Sequence, residues 1–314
     1  MALLARAGEA KGPMQAEPGH YDFAPYRGRP RITWPRGARI AVWVVPNIEH
    51  YELDPPANPM RGGWFRPTPD VLAYSWRDYG NRAGFDRMAD VMAKHGVRGS
   101  VSLNVAVCDM FPEIIARCCE LGWELFSHGV YNTRYMYGMD EAQQRALIGD
   151  VRDTIFRASG QRRDGWLSPA LSNDDLTQHI LAEEGILYTL DMLHDDQPMP
   201  VRTRSGRPLV SIPYSLEVND VPQFVLRNAT PDEWVEVVLA QFEQLRAEGG
   251  TVLCLPIHPY IIGAPHRIGA LDRVLGHIAA QPDVWLATGR EIAQHFIDHH
   301  LAEFEAWIAR GTPA

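Results

Sequence analysis

Short apolar runs recur along this chain, and each stops at a polar side chain. AVWVVP leads into Asn47, Glu49 and His50, SVSL into Asn104, and WELF into Ser127 and His128. GWL ends at Ser168 and LYTL at Asp191. LVSIPY is followed shortly by Glu217 and Asn219, and TVLCLPI by His258. The runs are short, apolar and mostly β-branched or aromatic, which predicts strands at 40–46, 99–104, 123–127, 164–168, 187–191, 208–214, 251–257 and 283–287. Between them, helical spacing predicts helices at 81–95, 110–121, 140–159, 173–184, 231–247, 268–280 and 289–299. The fifth is the plainest. Trp234, Val235, Val238, Leu239, Phe242 and Leu245 form one stripe, Thr230-Pro231-Asp232-Glu233 caps the start, and Gly249-Gly250 ends it. Strands alternating with helices imply right-handed βαβ units and an α/β fold with a parallel sheet. About eight units favour a (β/α) barrel, in which the carboxyl ends of the strands, and so the polar stops, share one mouth.

Two stretches have neither period. Residues 1–38 are rich in Pro, Gly and Arg and are expected to form an extended arm wrapping the domain or a second subunit, which points to a homo-oligomer. Residues 54–78 carry five prolines with Trp64, Phe65 and Trp76, and are expected to be a long loop serving as a flap or pocket wall. Residues 39–300 then form the single catalytic domain and 301–314 a helical tail.

Composition narrows the function. The chain has 314 residues, 46% of them hydrophobic, and a net charge of -9, which disfavours nucleic acid as a partner. Cys108, Cys118, Cys119 and Cys254 form no CxxC pair or metal-ligand pattern and read as buried thiols of a reduced compartment. No long apolar run suggests an export signal or a membrane span, so a cytoplasmic protein is expected.

Among the strand-end residues, Asn47 and Glu49 fall on one face by alternation, and Glu49 suits a metal ligand or general base. His128 and Asn132, four apart, can face one cation, although His128 alone also fits an imidazole held by a loop carbonyl. His258, pinned by Pro259, suits acid or base work. Tyr79 and Arg82, where a helix opens after the aromatic loop, are candidates to hold substrate, as are Trp166, Ser168, Asp191 and Asn219. GxSxG, GK[ST], HExxH and GxGxxG motifs do not occur, leaving serine-hydrolase, P-loop and dinucleotide readings without support.

Six ordered blocks over residues 34–300 carry a resemblance: WPRGARIAVWVVPNIEHYE, YGNRAGFDRM, NVAVCDMFPEIIARCCELGWELFSHGVYNTRY, SGQRRDGWLSPALSNDDLTQHILAEEGILYTLDMLHDDQP, LVSIPYSLEVND and IHPYIIGAPHR. Together they resemble the polysaccharide deacetylase (NodB-homology) superfamily, and within it the metal-independent allantoinases and bacterial cyclic imide hydrolases. The resemblance implies a distorted (β/α) barrel and, in the deacetylases, zinc or a similar metal held by an acidic first motif and an H-x3-H second motif. This chain departs from that pattern, with Asn47-Ile48-Glu49 in the first and His128 to Asn132 in the second. The departures resemble the ring-opening branch. The expectation is a hydrolase that opens the C–N bond of a cyclic imide to a half-amide. Allantoinase, carbohydrate N-deacetylase and an inactive barrel acting as a binding module are the alternatives. With a divalent metal such as zinc, the expected ligands are Glu49, His128 and Asn132, and His258 protonates the ring nitrogen. Without one, Glu49 is the base and Arg82 or Asn47 stabilises the oxyanion.

Overall fold

The computed structural model describes residues 19–56, 68–162 and 164–310. Its strands are β1 (Ile40–Ile48), β2 (Ser100–Leu103), β3 (Glu124–Ser127), β4 (Gly165–Trp166), β5 (Tyr188–Thr189), β6 (Met199–Pro200), β7 (Val210–Ser211), β8 (Thr251–Ile257) and β9 (Val284–Leu286). Its α-helices are α1 (Val71–Tyr79), α2 (Phe85–Lys94), α3 (Ala106–Met110), α4 (Pro112–Glu120), α5 (Glu141–Ser159), α6 (Thr177–Glu183), α7 (Pro231–Glu248), α8 (Ile268–Ala279), α9 (Gly289–His299) and α10 (Leu301–Ala309).

One nine-stranded sheet runs β6-β7-β5-β4-β3-β2-β1-β8, with β9 also paired to β1. Every pairing is parallel except β6 with β7. Among the described residues β6 and β8 are not joined, so the sheet is a curled, open barrel of the distorted type.

The longest strand, β1, is covered on both faces, as its unbroken apolar run requires. Ile40, Val42, Val44 and Ile48 pack with Leu253, Leu255 and the apolar sides of α2, α7 and α8. Ala41, Trp43 and Val45 face inward against Phe126 and Tyr188. Trp43 is fully buried, its ring 6.2 Å from that of Tyr188 in edge-on contact.

Helix starts follow local chemistry. Asp140 with Gln143, Thr230 with Glu233 and Thr288 with Glu291 form reciprocal capping boxes that satisfy the free amides of α5, α7 and α9.

Several boundaries differ from the sequence expectation. The stretch 54–78 is not one loop, because Asp70 caps α1 by accepting from the Ala73 amide. Trp64 and Phe65 lie outside the described residues. A π-turn at Gly80–Gly84 precedes α2 where a single helix was expected. The predicted 110–121 helix is broken at Phe111, since Pro112 starts α4 and excludes the helical conformation just before it. Residues 19–38 hold a short 3-10 turn at Pro35–Gly37, with Ile32 and Trp34 buried on the domain and the Trp34 Nε1 donating to Thr251 O at 3.0 Å. No helix among the described residues is long and apolar enough to cross a membrane.

Candidate active site

The ends of three strands bring Glu49, His128 and His258 together. Asn47 lies in β1, with Glu49 just beyond it. His128 follows β3 and His258 follows β8. All four are buried. Glu49 Oε1 is 3.7 Å from His128 Nε2 and 3.5 Å from His258 Nε2. It also accepts from Asn132 Nδ2 at 2.8 Å, and the Tyr260 hydroxyl lies 3.4 Å from Oε2.

Each imidazole is held from behind. His128 Nδ1 meets Leu167 O at 3.0 Å, and a carbonyl can only accept, so this nitrogen carries a proton. His258 Nδ1 lies 2.6 Å from Asp220 Oδ1, and Asp220 Oδ2 accepts from the His258 amide at 2.7 Å. Both Nε2 atoms are thereby turned to one carboxylate oxygen. Asn104 ties the strand ends together, donating to His128 O and accepting from the His50 amide at 3.1 Å. Asn81 Nδ2 holds the Glu49 carbonyl at 3.0 Å.

These contacts set the charges. Burial alone would raise the Glu49 carboxyl, but hydrogen bonding and attraction from His128 and His258 hold it well below the usual carboxylate range. Burial would lower His258, yet Asp220 and Glu49 push it up to about 9. The site therefore pairs a carboxylate that stays ionised with an imidazole that stays protonated at neutral pH.

The residues surround a cavity of about 250 Å³, walled by Tyr51, Tyr214 and Tyr260, and by Leu167, Leu171 and Pro222. Asn47, Glu49, Arg77, His128, Asn132, Asn219 and His258 also line it. Asn47 Nδ2 is engaged by Val45 O at 3.2 Å and the Tyr214 hydroxyl at 3.3 Å, and Asn219 Nδ2 donates to that hydroxyl at 3.3 Å. A larger hollow of about 490 Å³, lined by Asp195, Asp196, Glu217 and Glu248, meets the cavity at Tyr214 and Leu216 but holds neither imidazole.

Five expected substrate contacts lie elsewhere. Arg82 is 70% exposed and paired with Asp78 at 2.5 Å, because the π-turn points it to solvent. Tyr79 accepts from Arg87 at 2.9 Å and packs against the core. Trp166 is fully buried beneath the site, donating to Ser168 Oγ at 2.9 Å. Ser168 in turn binds Asp191 through its amide at 2.7 Å and its hydroxyl at 2.8 Å. Burial raises Asp191 to about 6. This trio braces the segment whose Leu167 carbonyl orients His128, and none of it lines the cavity.

The three residues expected to hold a metal, Glu49, His128 and Asn132, line the same cavity. Asn132 turns its amide nitrogen, a donor, toward Glu49, leaving its own oxygen buried without a partner. Among the described residues no three His, Cys, Asp or Glu side chains are placed to hold a metal ion.

Asp220, Arg77, Tyr51 and Tyr260 are site residues that sequence reasoning missed. Asp220 stands directly after Asn219 in the EVND block and Tyr260 two residues past His258, so both lay beside recognised positions. Arg77 sits in a stretch read as loop, whereas α1 brings it to the cavity.

The family profile for polysaccharide deacetylase matches residues 66–189. A crystal structure titled PuuE allantoinase superposes with a TM-score of 0.78 at 27% identity, covering 87% of this chain and 95% of that one. One of a polysaccharide deacetylase from Pseudomonas aeruginosa PAO1 gives 0.76 at 28% identity, covering 87% and 96%. A Schizosaccharomyces pombe protein bearing the name polysaccharide deacetylase is 25% identical over 312 residues, covering 89% of this chain and 97% of its own.

Proposed function

We propose that this chain, similar to polysaccharide deacetylases and to an allantoinase, is a hydrolase that opens the C–N bond of a small cyclic imide or ureide. One observation carries this reading. The ionised Glu49 and protonated His258 face each other at 3.5 Å in a cavity of about 250 Å³ walled by tyrosines. Pockets for drug-sized ligands run from about 300 to 1,000 Å³, so the space suits a single ring better than a sugar polymer.

In the proposed reaction, a water in the cavity beside Glu49 and the two imidazoles attacks a ring carbonyl. Glu49 takes its proton, and His128 Nε2 orients it. The new C–O bond forms as the carbonyl becomes an oxyanion. Its collapse breaks the C–N bond, and His258 gives its Nε2 proton to the departing nitrogen. The proton on Glu49 then returns to His258 across the 3.5 Å gap. The net change is one water added, giving a half-amide from an imide. Asp220 takes no proton; it keeps His258 charged and aimed.

Allantoin is a second reading, favoured by the likeness to the PuuE allantoinase structure. The test is a turnover panel of succinimide, glutarimide, hydantoin, allantoin and a chitooligosaccharide, repeated after exhaustive chelation. Ring opening that survives chelation is expected. Deacetylation of the oligosaccharide without ring opening, or activity lost on chelation and restored by zinc, would overturn the respective parts of the proposal.

A further inference from the structure

Arg77 is the cavity residue that the reaction above leaves without a task. Its guanidinium lies 3.8 Å from the centre of the Tyr51 ring and 4.6 Å from that of Tyr260. The two aromatic faces hold the half-buried guanidinium in place beside the cavity. Its Nε is buried without a hydrogen-bond partner. Among the described residues, carboxylates form close ion pairs with many arginines, such as Arg29 with Asp195 and Arg134 with Glu52, whereas Arg77 has only the Tyr51 side chain as a hydrogen-bonding neighbour and the longer-range attraction of Glu49. Glu49, the acid of the cavity, is already engaged by Asn132, His128 and His258.

A guanidinium removed from water is costly unless an anion meets it, and its planar fork matches a carboxylate in two-point contact. No carboxylate meets the Arg77 fork in that two-point contact among the described residues, which leaves it able to take one from a ligand in the cavity. Opposite charges already sit at the reacting end, where Glu49 and His258 face each other, so Arg77 marks a second, anion-binding end of the same space.

We propose that the substrate is a ring imide or ureide bearing a carboxylate substituent, and that Arg77 is the specificity residue that binds it. This inference rests on the ring-opening reading, and its test separates the two. Hydantoin and hydantoin-5-acetate form a matched pair, alike in the scissile bond and differing in the carboxylate. A charge-assisted contact is worth about 1.5–3 kcal/mol, or about 10- to 100-fold. The wild type is expected to show a KM for hydantoin-5-acetate lower by about that factor, with similar kcat. In Arg77→Gln, KM for the charged ring should rise by about 10- to 100-fold, well beyond any change for hydantoin, and Arg77→Lys should recover part of the loss. Equal KM values for the two rings in the wild type, or equal penalties on both in Arg77→Gln, would overturn the proposal. Calorimetric binding of hydantoin-5-acetate to wild type and to Arg77→Gln, both checked for folding by circular dichroism, gives a reading without turnover. Should no ring be opened, the catalytic reading fails, while binding that Arg77→Gln abolishes still supports the anion site. Binding unaffected by the substitution removes it.

Discussion

Asp220 does for His258 what no residue on the β8 strand could. Its carboxylate grips both the ring Nδ1 and the amide of the same histidine, at 2.6 and 2.7 Å, and so fixes charge and direction together. His258 is raised to about 9, so it carries the proton the leaving nitrogen needs below that value and loses it above. The rate should therefore fall as pH climbs through about 9. Asp220→Asn keeps an acceptor for the ring but removes the charge, and should draw this alkaline limb toward the ordinary histidine range near 6.5. A pH–kcat profile with an unmoved limb would show that His258 is not the acid. Glu49, His128 and His258 were legible in the sequence because each follows an apolar run, and the end of a parallel strand is where a barrel opens. Asp220 was not, since its contact spans from a turn after β7 to the end of β8, a pairing that no period records. Arg82 and Arg77 illustrate the same limit. Both lie on neighbouring helical turns, and only packing decides that one faces solvent and the other the cavity.

Among the elements, the π-turn Gly80–Gly84 has the clearest effect on the site. It lies against the loop that carries His258 and Tyr260. A Cβ on Gly84 would come within 2.0 Å of the Pro259 carbonyl, and one on Gly80 within 2.6 Å of the Tyr260 amide. Two backbones approach here more closely than any side chain permits. Gly84→Ala should push the loop outward and lower kcat/KM by about 100-fold, given how steeply rate depends on ångström-scale placement. Gly269→Ala on α8, where a Cβ meets nothing within 4 Å, serves as the comparison and should stay near wild type. Steady-state kinetics on both variants checks this, and equal rates would mean the loop tolerates the shift. The YGNRAG block was read for its arginine, but its glycines set the geometry. Long elements such as β1, α5 and α7 were legible from period and caps. The two-residue strands β4, β5 and β7 are shorter than the apolar runs that signalled them, although single backbone hydrogen bonds such as Leu167 N to Ser127 O and Ile212 N to Thr189 O carry the pairing a residue further. Strand β6 gave no usable signal, being only two residues with Pro200 as one of them.

At the scale of the whole molecule, the parallel sheet and the single mouth followed from the alternation of strands and helices. The open seam between β6 and β8 did not, since closure depends on pairing between edges and not on any local pattern. The inner face of β1 holds the barrel together through Trp43, packed on Phe126 and Tyr188. Trp43→Ala should destabilise the chain by about 3–5 kcal/mol, measured as a fall in the denaturant midpoint. A loss below about 1 kcal/mol would mean that the interior collapses to fill the space.

The place of β1 in the sheet also bears on how the protein is made. Ile40 of this strand is matched with Thr251 and with Val284, so β1 waits for partners that follow it by more than 200 residues. Until β8 and β9 emerge from the ribosome, one edge of β1 stays open and its apolar face uncovered, a state prone to aggregation. Biosynthesis should therefore depend on chaperones that shelter nascent chains, and contacts this distant in the chain make for slow folding.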